Sequence, residues 1–278
     1  MPELPEVETI RRGLEQHLIG LKIEEIQIRQ PRLRRPVAVQ QLKKQAEGRR
    51  ILVLRRRAKY LLFDLDSGQT LIMHLGMSGR VLLLRENPPL DQHDHAIFSF
   101  RGGLQLRFRD PRRFGLISIW PTAELDAHPL LCHLGEEPLS REFPSNTLYE
   151  KVKRSRRPIK NLLMDAGFIV GVGNIYANEA LFYAGLHPQT PASRLSIETW
   201  YRLAQALQAV LRKAIQQGGT TLNDFVNSQG EAGYFQLSLA VYGREGKPCL
   251  QCGSPIRRIV LSGRSCFYCP QCQPAPEE

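Results

Sequence analysis

Between residues 21 and 120 the chain carries eight short runs rich in β-branched and aromatic residues, and no other feature narrows its fold as much. They fall at 21–29, 50–56, 60–65, 70–75, 80–84, 95–100, 104–109 and 115–120. Turn residues punctuate several gaps, as in Asp66-Ser67-Gly68 and Arg101-Gly102-Gly103. Many short strands at close spacing predict an antiparallel sandwich or a barrel-like domain. Ahead of them Val7, Ile10, Leu14 and Leu18 share one helical face, and Gly20 ends that element. After them Pro121, Pro129, Pro138 and Pro144 mark 121–146 as a linker with little regular structure. The pattern then turns helical. Residues 147–165 and 174–184 read as helices separated by Gly167, Gly171 and Gly173. A longer helix follows Ser196, with Trp200, Leu203, Leu207, Val210, Leu211 and Ala214 in an apolar stripe that ends at Gly218-Gly219. A β half, a linker and an α half predict two domains, with the cleft between them as the default site.

Four of the six cysteines form Cys249-x2-Cys252, then, after sixteen residues, Cys269-x2-Cys272. Each C-x-x-C pair sets two thiolates on one turn, and two such turns complete a tetrahedral sulfur site suited to zinc. Ile256 to Val260 and Arg264 to Tyr268 read as a hairpin between the pairs, so the element is a zinc ribbon. Four protein ligands leave no open position, which makes the metal structural. Cys132 and Cys266 stand outside the set as buried or incidental thiols.

The opening Met1-Pro2-Glu3-Leu4-Pro5-Glu6-Val7-Glu8 carries a chemical possibility. Trimming of the initiator methionine leaves Pro2 with a secondary amine. An α-amino group has a pKa near 8, so about a tenth or more of it is neutral and nucleophilic at neutral pH. Condensed with an aldehyde-like carbon it gives an iminium ion, an electron sink for elimination chemistry. Glu3 stands beside it as a candidate acid. Many chains begin Met-Pro, and acidic residues favour the first turn of a helix, so these residues alone leave both readings open.

Lys plus Arg total 38 against 27 Asp plus Glu, a formal charge of +11. That balance points to a polyanionic partner. Basic residues cluster at Lys151 to Lys160, at Arg55 to Lys59 and at Arg107 to Arg113, with Arg257, Arg258 and Arg264 in the ribbon. Together they favour nucleic acid. Asp110 to Gly115 and His74 to Gly79 read as turns that push Arg112, Phe114 and Met77 outward, and apolar side chains of this kind kink a duplex by entering base steps, although Met77 and Phe114 taken singly are more often core residues. Gly171-Val172-Gly173-Asn174 leads into a helix whose backbone N–H groups can face a phosphate. No apolar run approaches the ~20 residues of a membrane span, and no signal-peptide pattern opens the chain. A soluble, intracellular protein is expected.

Taken together these motifs resemble the bacterial formamidopyrimidine-DNA glycosylase family, the 8-oxoguanine DNA glycosylases of base-excision repair. The resemblance runs nearly end to end. It is carried by Pro2 to Glu6, Arg57 to Leu62, His74 to Gly79, Asp110 to Gly115, Gly171 to Ala177, Gln217 to Thr221 and the cysteine quartet. It implies an α+β multidomain fold: an N-terminal antiparallel β-sandwich with a leading helix, a helical helix–two-turn–helix domain and a zinc-ribbon β-hairpin. The expected boundaries are 1–130, a linker at 131–146, 147–240 and 241–278. By the same resemblance Pro2 is the nucleophile at C1′ of the damaged nucleotide and Glu3 the acid that opens the sugar. Lys59 and Arg264 contact phosphate and assist the eliminations. Asn174 and His74 bind phosphate. Met77, Arg112 and Phe114 fill the void left by the extruded base, with Arg112 on the orphaned cytosine. His93, Arg154 and Arg156 are further DNA contacts, and Ser228 to Gly233 cover the base. Ser155 stands where the family can carry lysine, and Cys266 where it more usually carries threonine. One structural Zn(2+) per chain, damaged double-stranded DNA as partner, a monomer and a cytoplasmic, nucleoid-associated location complete the expectation. Leu4, where the sister endonuclease VIII family typically has glycine, favours oxidised purines over pyrimidines. The alternatives are an endonuclease VIII-like enzyme and a zinc-ribbon protein that binds DNA without chemistry.

Overall fold

The computed structural model describes residues 2–85, 88–218 and 239–276. Chain contacts divide it into two compact units, Met1–Cys132 with Gln217–Gln236, and His133–Gln216 with Leu237–Glu278. Residues 133–145, expected in a linker, thus belong to the second unit, and the ribbon is grouped with the helices.

The first unit opens with α1 (Leu4–Leu18), which buries Val7, Ile10, Leu14 and Leu18 completely. Eight strands follow: β1 (Ile23–Ile28), β2 (Ile51–Arg57), β3 (Tyr60–Leu65), β4 (Gln69–His74), β5 (Arg80–Leu84), β6 (Asp94–Phe100), β7 (Gln105–Arg109) and β8 (Leu116–Pro121). They form two four-stranded antiparallel sheets, in the orders β1-β6-β7-β5 and β2-β3-β4-β8. This is a sandwich, and every one of the eight sequence runs is a strand. Its core draws on Ile26, Leu54, Phe63, Met73, Phe98, Phe108 and Ile117, together with the apolar face of α1.

One helix was not legible. α2 (Val39–Ala46) has only Leu42 and Ala46 buried, too short a stripe to show a period against its polar neighbours. It packs on β1, β4 and β8.

The second unit contains α3 (Asn146–Arg154), α4 (Ile159–Leu163), α5 (Asn174–Tyr183) and α6 (Ile197–Gln216), then the hairpin β9 (Arg257–Leu261) and β10 (Arg264–Tyr268). The single helix expected over 147–165 is two. Pro158 cannot donate to a preceding turn and disfavours helical geometry at Arg157, so the chain breaks there and Pro158 caps α4. α5 packs on α6, β10 packs on α5, and the Phe168 and Trp200 rings meet at 6.0 Å between centroids. Among the described residues no helix is long and apolar enough to cross a membrane.

Because α1 is held to the sandwich by its apolar stripe, Leu14→Ala is expected to cost about 2–5 kcal/mol, the range for emptying a fully buried leucine site. Urea unfolding followed by circular dichroism measures it.

Candidate active site and metal centre

In the first unit, Pro2 and Glu3 are buried at the entry to α1. Glu3 is the N-cap: the Glu6 carboxylate accepts the Glu3 backbone N–H at 2.8 Å, and the Glu3 side chain accepts the Glu6 N–H. Glu8, one turn further on, receives Arg11, Arg12 and Arg56 on its carboxylate at 2.9–3.2 Å. Burial alone raises the Glu8 pKa. The bonds from Arg11 and Arg12 and the charges of Arg11 and Arg56 outweigh it and hold the carboxyl below its usual range. Arg56 also donates to the Ala58 carbonyl at 2.8 Å, and Arg11 to that of Leu54 at 3.1 Å. The brace therefore ties α1 to the β2–β3 connection, a two-residue turn closed by the Arg57–Tyr60 pair, in which Ala58 takes φ +53° and Lys59 is half-buried.

His74 ends β4. Its Nδ1 accepts the Gly76 N–H at 2.9 Å, which leaves Nε2 as the donor when the ring is neutral. Burial first, then the charges of Arg34 and Lys59, lower its pKa to about 4. His74 is thus an uncharged hydrogen-bond donor at neutral pH. Met77 and Phe114 each stay 42% exposed, large apolar side chains on separate loops. The Arg112 guanidinium lies 4.7 Å over the Phe114 ring. Gly76 shows why the loops can meet: at φ +65°, a Cβ there would sit 2.4 Å from the Phe114 carbonyl carbon. His93 is half-buried on a neighbouring loop, its backbone N–H held by Asp91 at 2.7 Å.

Two of the basic clusters need correction. Arg107 is fully buried, bound to Asp94, to Gln105 and to the carbonyls of Pro88 and Pro89, so it fastens a loop and reaches no ligand. Arg55 is paired with Asp64 at 2.6 Å and Arg56 with Glu8, so that stretch is largely bracing. Sequence reasoning missed two things. One is Arg34, whose charge acts on His74 and Tyr60 and whose signal was the run Arg32-Leu33-Arg34-Arg35. The other is the buried Asp110 carboxyl, foreshadowed by an Asp opening a tight turn.

In the second unit Arg264 is exposed at the start of β10 and Asn174 is half-buried at the start of α5. They are brought together through Ser265, whose carbonyl accepts Asn174 Nδ2 at 3.0 Å and Lys160 Nζ at 3.0 Å. Asn178 on the next turn of α5 accepts the Phe267 N–H at 2.8 Å, which docks the hairpin. Arg154 and Arg156 are exposed around the end of α3. Residues 228–233 lie outside the described residues.

The four thiol sulfurs of Cys249, Cys252, Cys269 and Cys272 lie within 4.8 Å of one another, with Cys249 to Cys272 at 3.9 Å and Cys252 to Cys269 at 3.4 Å. Zinc–sulfur bonds of ~2.3 Å in a tetrahedron require sulfurs roughly 3.8 Å apart, so the set fits. Backbone N–H groups of Gln251 and Cys272 point at Cys249 and Cys269 sulfurs at 3.4 Å. Burial and the neighbouring sulfurs push the Cys272 thiol up, whereas hydrogen bonds from Ser254 bring Cys252 down to about 6. Four thiolates in this space need a cation, and one structural zinc supplies it.

Three family models cover most of the chain: the formamidopyrimidine-DNA glycosylase N-terminal domain at residues 1–117, the H2TH domain of the same enzymes at 134–226, and the zinc finger found in FPG and IleRS at 246–275. The chain belongs to the formamidopyrimidine-DNA glycosylase family. Enzymes of that name from Acidithiobacillus ferrooxidans and Methylococcus capsulatus are 50% and 47% identical to it, each over 98% of this chain and 100% of their own. The MutM (FPG) protein of Thermus thermophilus superposes with a TM-score of 0.88 at 43% identity, over 99% of this chain and 100% of its own. The Lactococcus lactis Fpg, in a complex with an abasic site containing DNA, superposes at 0.90 and 36% identity, over 98% and 100%. This formamidopyrimidine-DNA glycosylase family member is a DNA glycosylase of base-excision repair, with the lyase activity that is part of the family.

Two outcomes are expected. Titration of His74 by NMR gives a midpoint near 4. The unfolded ring titrates near 6.5 and binds a proton first, so this residue lowers stability as pH falls from about 6.5 to 4 and leaves it unchanged above. Metal analysis gives one zinc per chain, and chelation abolishes DNA binding in fluorescence anisotropy while amide protection in residues 23–121 persists.

Proposed function

We propose that the protein excises oxidised purines, 8-oxoguanine and formamidopyrimidines, from double-stranded DNA through a covalent intermediate on Pro2, and then cuts the strand by β,δ-elimination. The observation that carries this reading is the entry of α1, where Pro2 is buried beside a Glu3–Glu6 capping box and the Glu8–Arg56 brace ties that helix to the Lys59 turn. While Met1 is attached, the Pro2 nitrogen is a tertiary amide and cannot attack. Once Met1 is removed it is a secondary amine. The amine attacks C1′, the glycosidic bond breaks and the base leaves with a proton. Glu3 protonates the ring oxygen as the sugar opens, and the amine becomes an iminium. Loss of a 2′ proton expels the 3′ phosphate, and loss of the 4′ proton then expels the 5′ phosphate.

Lys59 and Arg264 contact phosphate and assist these transfers, and His74 and Asn174 bind phosphate. Eversion of the nucleotide costs a few kcal/mol, less for a damaged base. The exposed Met77 and Phe114 fill the vacated stack and Arg112 pairs with the cytosine left behind. His93, Arg154 and Arg156 contact DNA further out, and residues 228–233 cover the extruded base. The domains at 1–130, 147–240 and 241–278 divide this labour, with chemistry in the first and DNA grip in the others. The enzyme works as a cytoplasmic monomer on the nucleoid.

Borohydride trapping tests the nucleophile. Wild-type protein becomes covalently fixed to 8-oxoguanine duplex, and Pro2→Gly or protein that retains Met1 does not. Equal trapping by all three removes Pro2 from its role. Lys59→Ala weakens excision by about 10²-fold, the scale of a lost proton-transfer group, with the fold intact by circular dichroism.

A further inference from the structure

Three loops carry residues assigned above to DNA contact, and they converge on one aspartate that has no place in the chemistry. Asp110 is fully buried. Its Oδ1 accepts the Ser78 hydroxyl at 2.7 Å, and its Oδ2 accepts the Gly115 N–H at 2.7 Å. Ser78 follows Met77, and Gly115 follows Phe114. The Ser78 oxygen in turn accepts the Arg112 N–H at 3.3 Å. The Asp110 backbone joins the third loop: its N–H donates to the His93 carbonyl at 3.1 Å, and its own carbonyl accepts His95 Nε2 at 2.7 Å and the Arg113 N–H at 3.1 Å. Arg113 holds φ +57°, a conformation a branchless glycine takes freely and arginine does not, so the turn that lifts Arg112 and Phe114 persists only while its hydrogen bonds hold.

The geometry points to Asp110, acting through Ser78, as the positioning residue that sets the orientation of Arg112 and with it the choice of opposite base. This rests on the assignment of Arg112 to the orphaned cytosine. Neither Met77 nor Phe114 buries enough of itself to fix its own loop, and Arg112 is exposed. An arginine discriminates bases only when its guanidinium plane is held in register with the base edge. A two-oxygen acceptor shared by both loops supplies that register from beneath.

The test compares kcat/KM for 8-oxoguanine opposite cytosine and opposite adenine, with each preparation normalised to its active fraction by borohydride trapping. General loss of fold lowers both rates by one factor and leaves their ratio unmoved, whereas loss of register lowers the ratio. Asp110→Ala is expected to reduce the cytosine preference by about tenfold and Ser78→Ala by about threefold, in line with loss of buried hydrogen bonds. The double variant loses no more than Asp110→Ala alone. Asp110→Asn restores most of the preference, because its amide oxygen can accept from Gly115 and its NH2 can donate to Ser78. If Asp110→Ala does not fold, Ser78→Ala and Asp110→Asn decide. A wild-type ratio in Ser78→Ala and Asp110→Ala, additive losses in the double variant, or an Asp110→Asn ratio as low as that of Asp110→Ala overturns the inference. Arg112→Ala separates the two levels. If it leaves the ratio unchanged, the assignment of Arg112 itself fails. If it lowers the ratio while Asp110→Ala and Ser78→Ala do not, only the brace fails.

Discussion

Helix α1 enters the sandwich with five apolar side chains fully buried, and Pro2 and Glu3 lie at its N-terminal entry. A chain terminus is ordinarily the part of a domain with the fewest restraints. Here the apolar stripe fixes the helix axis, the capping box fixes the entry, and Glu8 locks the helix to β2 through Arg56 and Arg11. A chain end placed in this way has lost its conformational freedom, the kind of preorganisation that contributes most to a bond-forming step. The Lys59 turn is reached by the same brace, so the entry of α1 and the β2–β3 turn share one rigid support.

Electrostatics within the first unit separates groups that look alike in the sequence. Arg107 and Arg112 stand five residues apart, yet one is sealed against Asp94 and two carbonyls and the other is open to solvent. His74 is surrounded by cationic charge and kept neutral by burial. At neutral pH the ring is a hydrogen-bond donor whose orientation is set by Gly76, with no dependence on its own charge. A cationic histidine there would repel Arg34 and Lys59.

The fold was legible where it followed from period and punctuation. All eight strand runs, the apolar face of α1, the stripe of α6 and the cysteine spacing report side-chain burial directly, and burial is what a hydrophobic pattern encodes. α2 was not legible because two buried residues make no period, and the break at Arg157 was overlooked because the basic run hid Pro158 inside a helix-like stretch. In the site, Met77 and Phe114 could be read from their glycine-bounded turns and are exposed as expected. The partners that hold them could not. Ser78 and Asp110 lie 32 residues apart, and only the pairing of β4 with β8 and of β5 with β7 brings their loops into contact.

The acidic residues follow one logic across both units. With 38 basic residues against 27 acidic ones, every exposed carboxylate would weaken the attraction for a polyanion. The chain places several acids inside instead, where each joins separate segments. Glu8 joins α1 to β2, Asp94 joins β6 to β7 and the loop before it, and Asp110 joins the loops of Met77 and Phe114. Glu179 on α5 accepts the backbone N–H groups of Ala240, Val241 and Tyr242 at 2.8–3.0 Å, which anchors the entry to the ribbon. Burial raises the Glu179 pKa against those three donors, whereas at Asp94 the arginines win and lower it. At Glu179 the amide donors and the charge of Arg244 offset desolvation only in part, whereas at Asp94 the Arg109 guanidinium bonds the carboxylate directly. A carboxylate, with two oxygens and several lone pairs, is the smallest side chain that can bind two or three donors from different segments at once. Its use as a buried cross-link leaves lysine and arginine to dominate the surface that must meet phosphate.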